Sequence, residues 1–240
     1  MNAGRFRAAL GAVTLAPARA LWKRSKLGRK WSFPWARTEN TSRHVWPETL
    51  LIERYLGVEP GTAVADIGAG AGYWTFRLAD TVGAGGRVYA IDSDLDACLK
   101  LLYEKRKRRL ENVRVRWVGQ KNPRLKRGSL DLILTVDTHL FAACRAEQGR
   151  RYLRRCAAAL RSDGRMIIFN RAVHLADWAP DFGSPLGYDE STPEQVAALG
   201  EPELTVEALE RLPIGGPGAA PGELPGYVLV LRKQRGESPS

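Results

Sequence analysis

Val64-Ala65-Asp66-Ile67-Gly68-Ala69-Gly70-Ala71-Gly72-Tyr73-Trp74 joins an apolar run to a helix-like segment through three alternating glycines. Twenty residues past Gly72, a second apolar run, Val88-Tyr89-Ala90-Ile91, ends in Asp92. Glycine lets a backbone approach a ligand closely, because no Cβ stands between them. An acid at the end of the next strand is placed to accept hydrogen bonds from two ribose hydroxyls. The pair predicts a nucleoside-bearing cofactor lying across the carboxyl ends of two parallel strands. The spacing is G-x-G-x-G, with Tyr73 where a dinucleotide fingerprint needs a small third residue, and a pyrophosphate would be crowded there. No Gly-Lys-Ser/Thr follows, which excludes a P-loop.

The elements that must position these residues alternate strand and helix. A helix is expected from Pro47 to Gly57, with Leu50, Leu51, Tyr55 and Leu56 on its buried face. Glu59-Pro60-Gly61 turns the chain into the first strand, and a helix over Trp74–Thr81 stops at Gly83-Ala84-Gly85-Gly86. The next helix, Leu95–Leu110, carries Leu99, Leu102 and Tyr103 on one side and a basic run on the other. Val113–Val118 alternates apolar and charged residues, as an edge strand does. Leu130–Val136 is nearly continuous in apolar residues and reads as a central buried strand. A helix over Gly149–Leu160, the turn Ser162-Asp163-Gly164 and a strand over Arg165–Phe169 follow. Beyond a short helix at Thr192–Leu199 come strands at Leu204–Leu212 and Gly226–Lys233. The Gly/Pro-rich Pro213–Pro225 between them holds no crossover helix, so the last two strands are antiparallel. The expected fold is α/β, a doubly wound, mostly parallel seven-stranded sheet with an antiparallel final strand.

Charge is the compositional outlier. The 240 residues carry a formal charge of +11, and residues 1–45 hold ten Lys/Arg against Glu39 alone. Residues 1–45 are read as a basic extension, 46–235 as the folded domain and 236–240 as a tail. Tryptophan and leucine interleave the basic residues at Leu21–Trp31. That composition suits an anionic membrane surface, and equally a nucleic-acid backbone, an organelle transit segment or a solvated tail. A second basic concentration runs from Lys100 to Arg127. Cys98, Cys144 and Cys156 form no C-x-x-C pair, and the first and last are expected as free buried thiols. A reducing, cytoplasmic compartment fits them, with peripheral membrane contact, organelle targeting and export left open. His44, His139 and His174 lack metal-ligand spacing, so no metal is expected.

The glycine loop, Asp92, Leu130–Asp137 and Leu160-Arg161-Ser162-Asp163-Gly164-Arg165 together resemble the class I S-adenosylmethionine-dependent methyltransferases over about residues 46–233. Asn122-Pro123-Arg124-Leu125 and Val136-Asp137-Thr138-His139-Leu140-Phe141 are similar to segments of small bacterial enzymes related to the quinone-biosynthesis methyltransferases. Both depart from that pattern: its acid is replaced around Gly119-Gln120-Lys121-Asn122, and its double histidine is missing, leaving His139 just before those positions.

The resemblance implies S-adenosyl-L-methionine as cofactor. It implies cofactor contacts at Asp66, Gly68, Gly70, Gly72, Tyr73, Asp92, Ser93, Gln120 and Asp137, with Asn122 an alternative to Gln120 for the adenine amino group. Asp137 and His139 are the candidate catalytic residues, the histidine as proton acceptor. The expected reaction is methyl transfer to a small or membrane-associated acceptor. An RNA acceptor and a non-catalytic binding protein of the same fold are the alternatives. The aromatic-bearing segment Asn170–Asp189 is expected as a lid or covering loop.

Overall fold

The structure is a computed structural model and describes residues 47–119, 121–138, 146–171, 192–214 and 224–234. The chain runs α1 (Pro47–Leu56), β1 (Ala63–Ile67), α2 (Tyr73–Val82), β2 (Arg87–Asp92), α3 (Leu95–Lys107), β3 (Val113–Trp117) and β4 (Leu130–Val136). It continues through α4 (Ala146–Ala159), β5 (Leu160–Arg171), α5 (Pro193–Gly200), β6 (Leu204–Ile214) and β7 (Leu224–Lys233).

The seven strands form one sheet in the order β3-β2-β1-β4-β5-β7-β6. The five strands from β3 to β5 are parallel, whereas β7 lies antiparallel between β5 and β6. From β1 the chain winds outward to β2 and β3, then returns beside β1 with β4 and winds the other way. That reversal opens a crevice at the carboxyl ends of β1 and β4, the position where open α/β sheets bind ligands.

Both sheet faces are covered, which is why the central strands read as apolar runs. One core joins Val64, Leu132, Leu134 and Phe169 to Leu51 and Ile52 of α1, Phe76 and Leu78 of α2, and Leu101 of α3. The other joins Ala65, Ile67, Ile133 and Ile168 to Tyr152, Leu153 and Cys156 of α4 and Val196 of α5. Cys98 and Cys156 are free and buried, and burial pushes each thiol up to about 12.

Four local expectations are corrected. Leu102 and Tyr103 do not face the core: they are 47% and 67% exposed, and α3 buries Ala97, Cys98 and Leu101 instead. An apolar residue stands on both sides of this helix, and periodicity alone cannot choose between two stripes. Leu50 is 58% exposed, and α1 turns Thr49, Leu51 and Ile52 inward. The strand expected over Arg165–Phe169 begins earlier, at Leu160; the Ser162-Asp163-Gly164 turn lies inside its span as a bulge, with Asp163 at φ of 65° and pairing with β4 resuming at Arg165. Asn170 and Arg171 extend β5 rather than opening a loop, pairing with Tyr227 and Gly226 of β7. Residues 1–46, 172–191 and 235–240 lie outside the described residues, and with them the basic extension, most of the expected lid and the tail.

Candidate functional site

At the end of β1 the chain turns through Gly68, Gly70 and Gly72, with φ of 76°, 52° and 95°. An L side chain rarely adopts that region. Gly68 and Ala69 both donate their N–H to Ile91 O, at 2.8 and 3.1 Å, which pins the loop on the end of β2. Space divides the glycines by role. A Cβ on Gly72 would lie 2.4 Å from Phe76 Cε2 and 2.8 Å from Leu101 Cδ2, so packing of α2 on α3 demands glycine there. A Cβ on Gly68 would meet the Thr138 side chain at 1.9 Å, which brings the end of β4 against the loop. At Gly70 the nearest atom to such a Cβ is Gly68 O at 3.9 Å. Only this glycine of the three faces open space.

Asp92 holds the loop in place. Its Oδ2 accepts the Gly70 N–H at 2.7 Å and its Oδ1 accepts the Asp94 N–H at 2.8 Å. Burial pushes its carboxyl above the usual carboxylate range, against the pull of the backbone N–H groups of Asp94, Gly70 and Ser93. Asp94 caps α3 by accepting the Asp96 N–H at 2.9 Å. Burial pushes Asp94 up to about 6, opposed by the Asp96 N–H and reinforced by the charges of Asp92 and Asp96. A carboxylate offers about four acceptor sites, so Asp92 keeps capacity beyond its backbone donors.

Asp66 lies one turn beneath, 2% exposed, and its Oδ2 accepts the Thr75 hydroxyl at 2.5 Å. The bond ties the end of β1 to the first turn of α2. Tyr73 opens α2 half-buried, edge-to-face with Trp74 at 5.3 Å and with the Arg77 guanidinium 5.4 Å from its ring centre. The Ser93 carbonyl accepts the Trp117 indole N–H at 2.9 Å.

Trp117, Val118, Gly119 and Arg124 line a cleft of about 230 Å³ beside Ser93. The sequence pointed to this segment through Gln120 and Asn122 but not to Trp117 and Arg124 as its lining, because Arg124 reaches the cleft only through a turn. Arg124 takes φ of 50° and donates its N–H to Asn122 Oδ1 at 2.9 Å, while Arg116 Nη1 donates to Arg124 O. The Asn122 amide oxygen, expected to face the adenine, is thus engaged in its own turn. Gln120 lies outside the described residues.

Across the crevice, Asp137 follows β4 with φ of 51° and donates its N–H to Phe169 O at 2.9 Å. It does not cap α4, which begins nine residues later at Ala146. His139 lies outside the described residues. Two further polar residues at this end of the sheet had no sequence signature. Asn170 is buried and its Nδ2 donates to the Tyr227 hydroxyl at 3.3 Å, and Thr135 is buried one strand away. The structure therefore brings Asp66, the glycine loop, Tyr73, Asp92 and Ser93 to one side of the crevice and Asp137 to the other.

Residues 64–164 match the family described as a methyltransferase domain. No curated protein matches the chain. Several solved structures share the fold. A SAM dependent methyltransferase from Aquifex aeolicus is 18% identical, over 82% of this chain and 96% of that one, with a TM-score of 0.60. Geranyl diphosphate C-methyltransferase from Streptomyces coelicolor A3(2) is 10% identical, over 78% and 80%, also at 0.60; it was solved with Mg2+, geranyl diphosphate and S-adenosyl-L-homocysteine. Coclaurine N-methyltransferase, bound to N-methylheliamine and SAH, is 16% identical over 77% and 71%, again at 0.60.

Proposed function

We propose that this chain, a class I S-adenosylmethionine-dependent methyltransferase, transfers the methyl group to a small or membrane-associated acceptor at the carboxyl ends of β4 and β5. What carries the reading is the Asp92 carboxylate, locked against Gly70 at the topological switch point with acceptor capacity to spare. The residues present fit the cofactor. Asp92 would accept from the ribose hydroxyls, Gly70 would let the methionine portion approach the backbone, and the cleft at Trp117, Gly119 and Arg124 would take the adenine.

When bound, the cofactor supplies an electrophilic methyl group on a good leaving group, so the chain's own work is to bind, orient and exclude water. Asp66 anchors the loop through Thr75. Asp137 and His139 are assigned to the acceptor side, where either would take the proton of an oxygen or nitrogen nucleophile. Incubation with labelled cofactor and a panel of quinone precursors and lipids tests the assignment. Label transfer to a panel member that is lost in Asp137→Ala supports it, and transfer unaffected by that change removes Asp137 from the mechanism.

One observation favours an RNA acceptor as the second reading. The basic segment Lys121–Arg127 meets the arginine-rich α4 where Arg155 Nη1 donates to Lys121 O at 2.5 Å, although Arg151 and Arg154 of that helix pair with Glu147 and Glu203. Such a face suits a phosphate backbone. Filter binding across a salt series decides between the two: RNA affinity that is negligible at about 150 mM salt dismisses the second reading.

A further inference from the structure

We propose that the outer stripe of α3 docks the enzyme on an anionic membrane surface; the inference rests on the membrane-associated acceptor reading above. Helix α3 carries two apolar stripes. Ala97, Cys98 and Leu101 fill the core, whereas Leu99, Leu102, Tyr103 and Arg106 follow i, i+3, i+4, i+7 spacing along the outer side. Leu102 and Tyr103 are the only adjacent pair of exposed large hydrophobic residues among those described. Lys100, Arg106 and Lys107 flank them, and Lys105, Arg108 and Arg109 complete a basic cluster. Glu104 is the one acid within residues 100–109 and pairs with Arg108 at 3.7 Å, which leaves that span at a formal +5.

The occupant follows from needing both features at once. A second copy would set two cationic helix faces against each other, which like-charge repulsion disfavours. A phosphate polymer would use the cations and leave Leu102 in water. An anionic headgroup layer takes Leu and Tyr at its interface and Lys and Arg beside its phosphates. No helix among the described residues is long and apolar enough to cross a membrane. Helix α3 also starts directly after Asp92, and the exposed Trp117 bonded to Ser93 lies at the same rim. The stripe runs away from that rim: Leu102 lies about 10 Å along α3 from its first residue, and Lys105–Arg109 are at the far end. Docking along it brings the cofactor rim to the edge of the contact, where an amphiphilic acceptor would enter.

Sedimentation of the full chain with vesicles tests the docking. Vesicles of phosphatidylcholine alone are compared with vesicles of equal parts phosphatidylcholine and phosphatidylglycerol. Wild type is expected to pellet with the anionic vesicles only. Leu102→Ser with Tyr103→Ser is expected to weaken binding about tenfold, and Lys100→Glu with Arg106→Glu and Lys107→Glu on the order of a hundredfold. Both variants are expected to keep the wild-type melting temperature and S-adenosylmethionine binding; Tyr103→Ser alone serves if the double variant melts early. Pelleting unchanged by the Leu102/Tyr103 variant, or no pelleting of wild type, overturns the proposal. RNA retention that the charge variant abolishes and the Leu102/Tyr103 variant leaves intact also overturns it, in favour of a phosphate polymer. Loss of S-adenosylmethionine binding by wild type is a separate failure, that of the methyltransferase reading.

Discussion

The Asp92 carboxylate accepts the Gly70 backbone N–H at 2.7 Å, so the acid that ends β2 is bonded to the middle of the loop that follows β1. Two segments 22 residues apart are thereby fixed as one surface before any ligand arrives. Preorganisation of this kind lowers the ordering cost of binding.

The glycines divide by experiment as they do by space. Gly70→Ala places a methyl group in the open crevice at a left-handed φ, a cost of about 1–2 kcal/mol, and is expected to keep the fold while losing cofactor affinity. Gly72→Ala drives its methyl into Phe76 and Leu101 and is expected to cost about 3 kcal/mol of stability. Thermal unfolding and calorimetry on both variants check the split, and a Gly72→Ala protein as stable as wild type refutes it.

Thr75 serves Asp66 rather than a ligand. Thr75→Val removes a hydroxyl donor from a buried carboxylate and is expected to destabilise by about 1–3 kcal/mol, with Thr75→Ser restoring most of it. Denaturant unfolding of the three proteins measures this directly.

Asp94 sets a pH dependence. Its carboxyl is raised from 3.8 to about 6 by burial, beside Asp92 and Asp96. A raised acid contributes stability that is present below the unfolded value and lost as pH rises through the folded one. Wild type is therefore expected to lose stability between pH 3.8 and about 6 through this group. Asp94→Asn keeps a good N-cap and is expected to flatten that part of the profile. Melting temperatures across the window decide it, and parallel profiles would show that Asp94 is not the source.

Trp117 is the aromatic wall of the cleft beside Ser93, 56% exposed. Trp117→Ala is expected to weaken S-adenosylmethionine binding about tenfold, the size of one aromatic contact, without a comparable loss of stability. Equal affinities for wild type and variant would place the adenine elsewhere.

Local patterns made the sheet and the loop legible. Apolar runs ending in glycine or aspartate marked β1, β2 and β4, and the missing crossover helix before β7 required an antiparallel end. What the pattern could not give was nonlocal. The two stripes of α3 are alike in spacing, and only the position of β2 and β3 decides that Leu101 goes inward and Leu102 outward. The basic concentration from Lys100 to Arg127 is also divided by the fold, its first half on α3 and its second beside α4. The Trp117–Arg124 cleft depends on a positive φ at Arg124, a non-glycine residue with no local signature for it.

Calorimetric titration with S-adenosylmethionine, on wild type and on Asp92→Ala, tests the central claim most directly. The account predicts micromolar binding by wild type and its loss in a variant that still unfolds cooperatively. A folded wild type that releases no heat, or an Asp92→Ala protein that binds as wild type does, would contradict it.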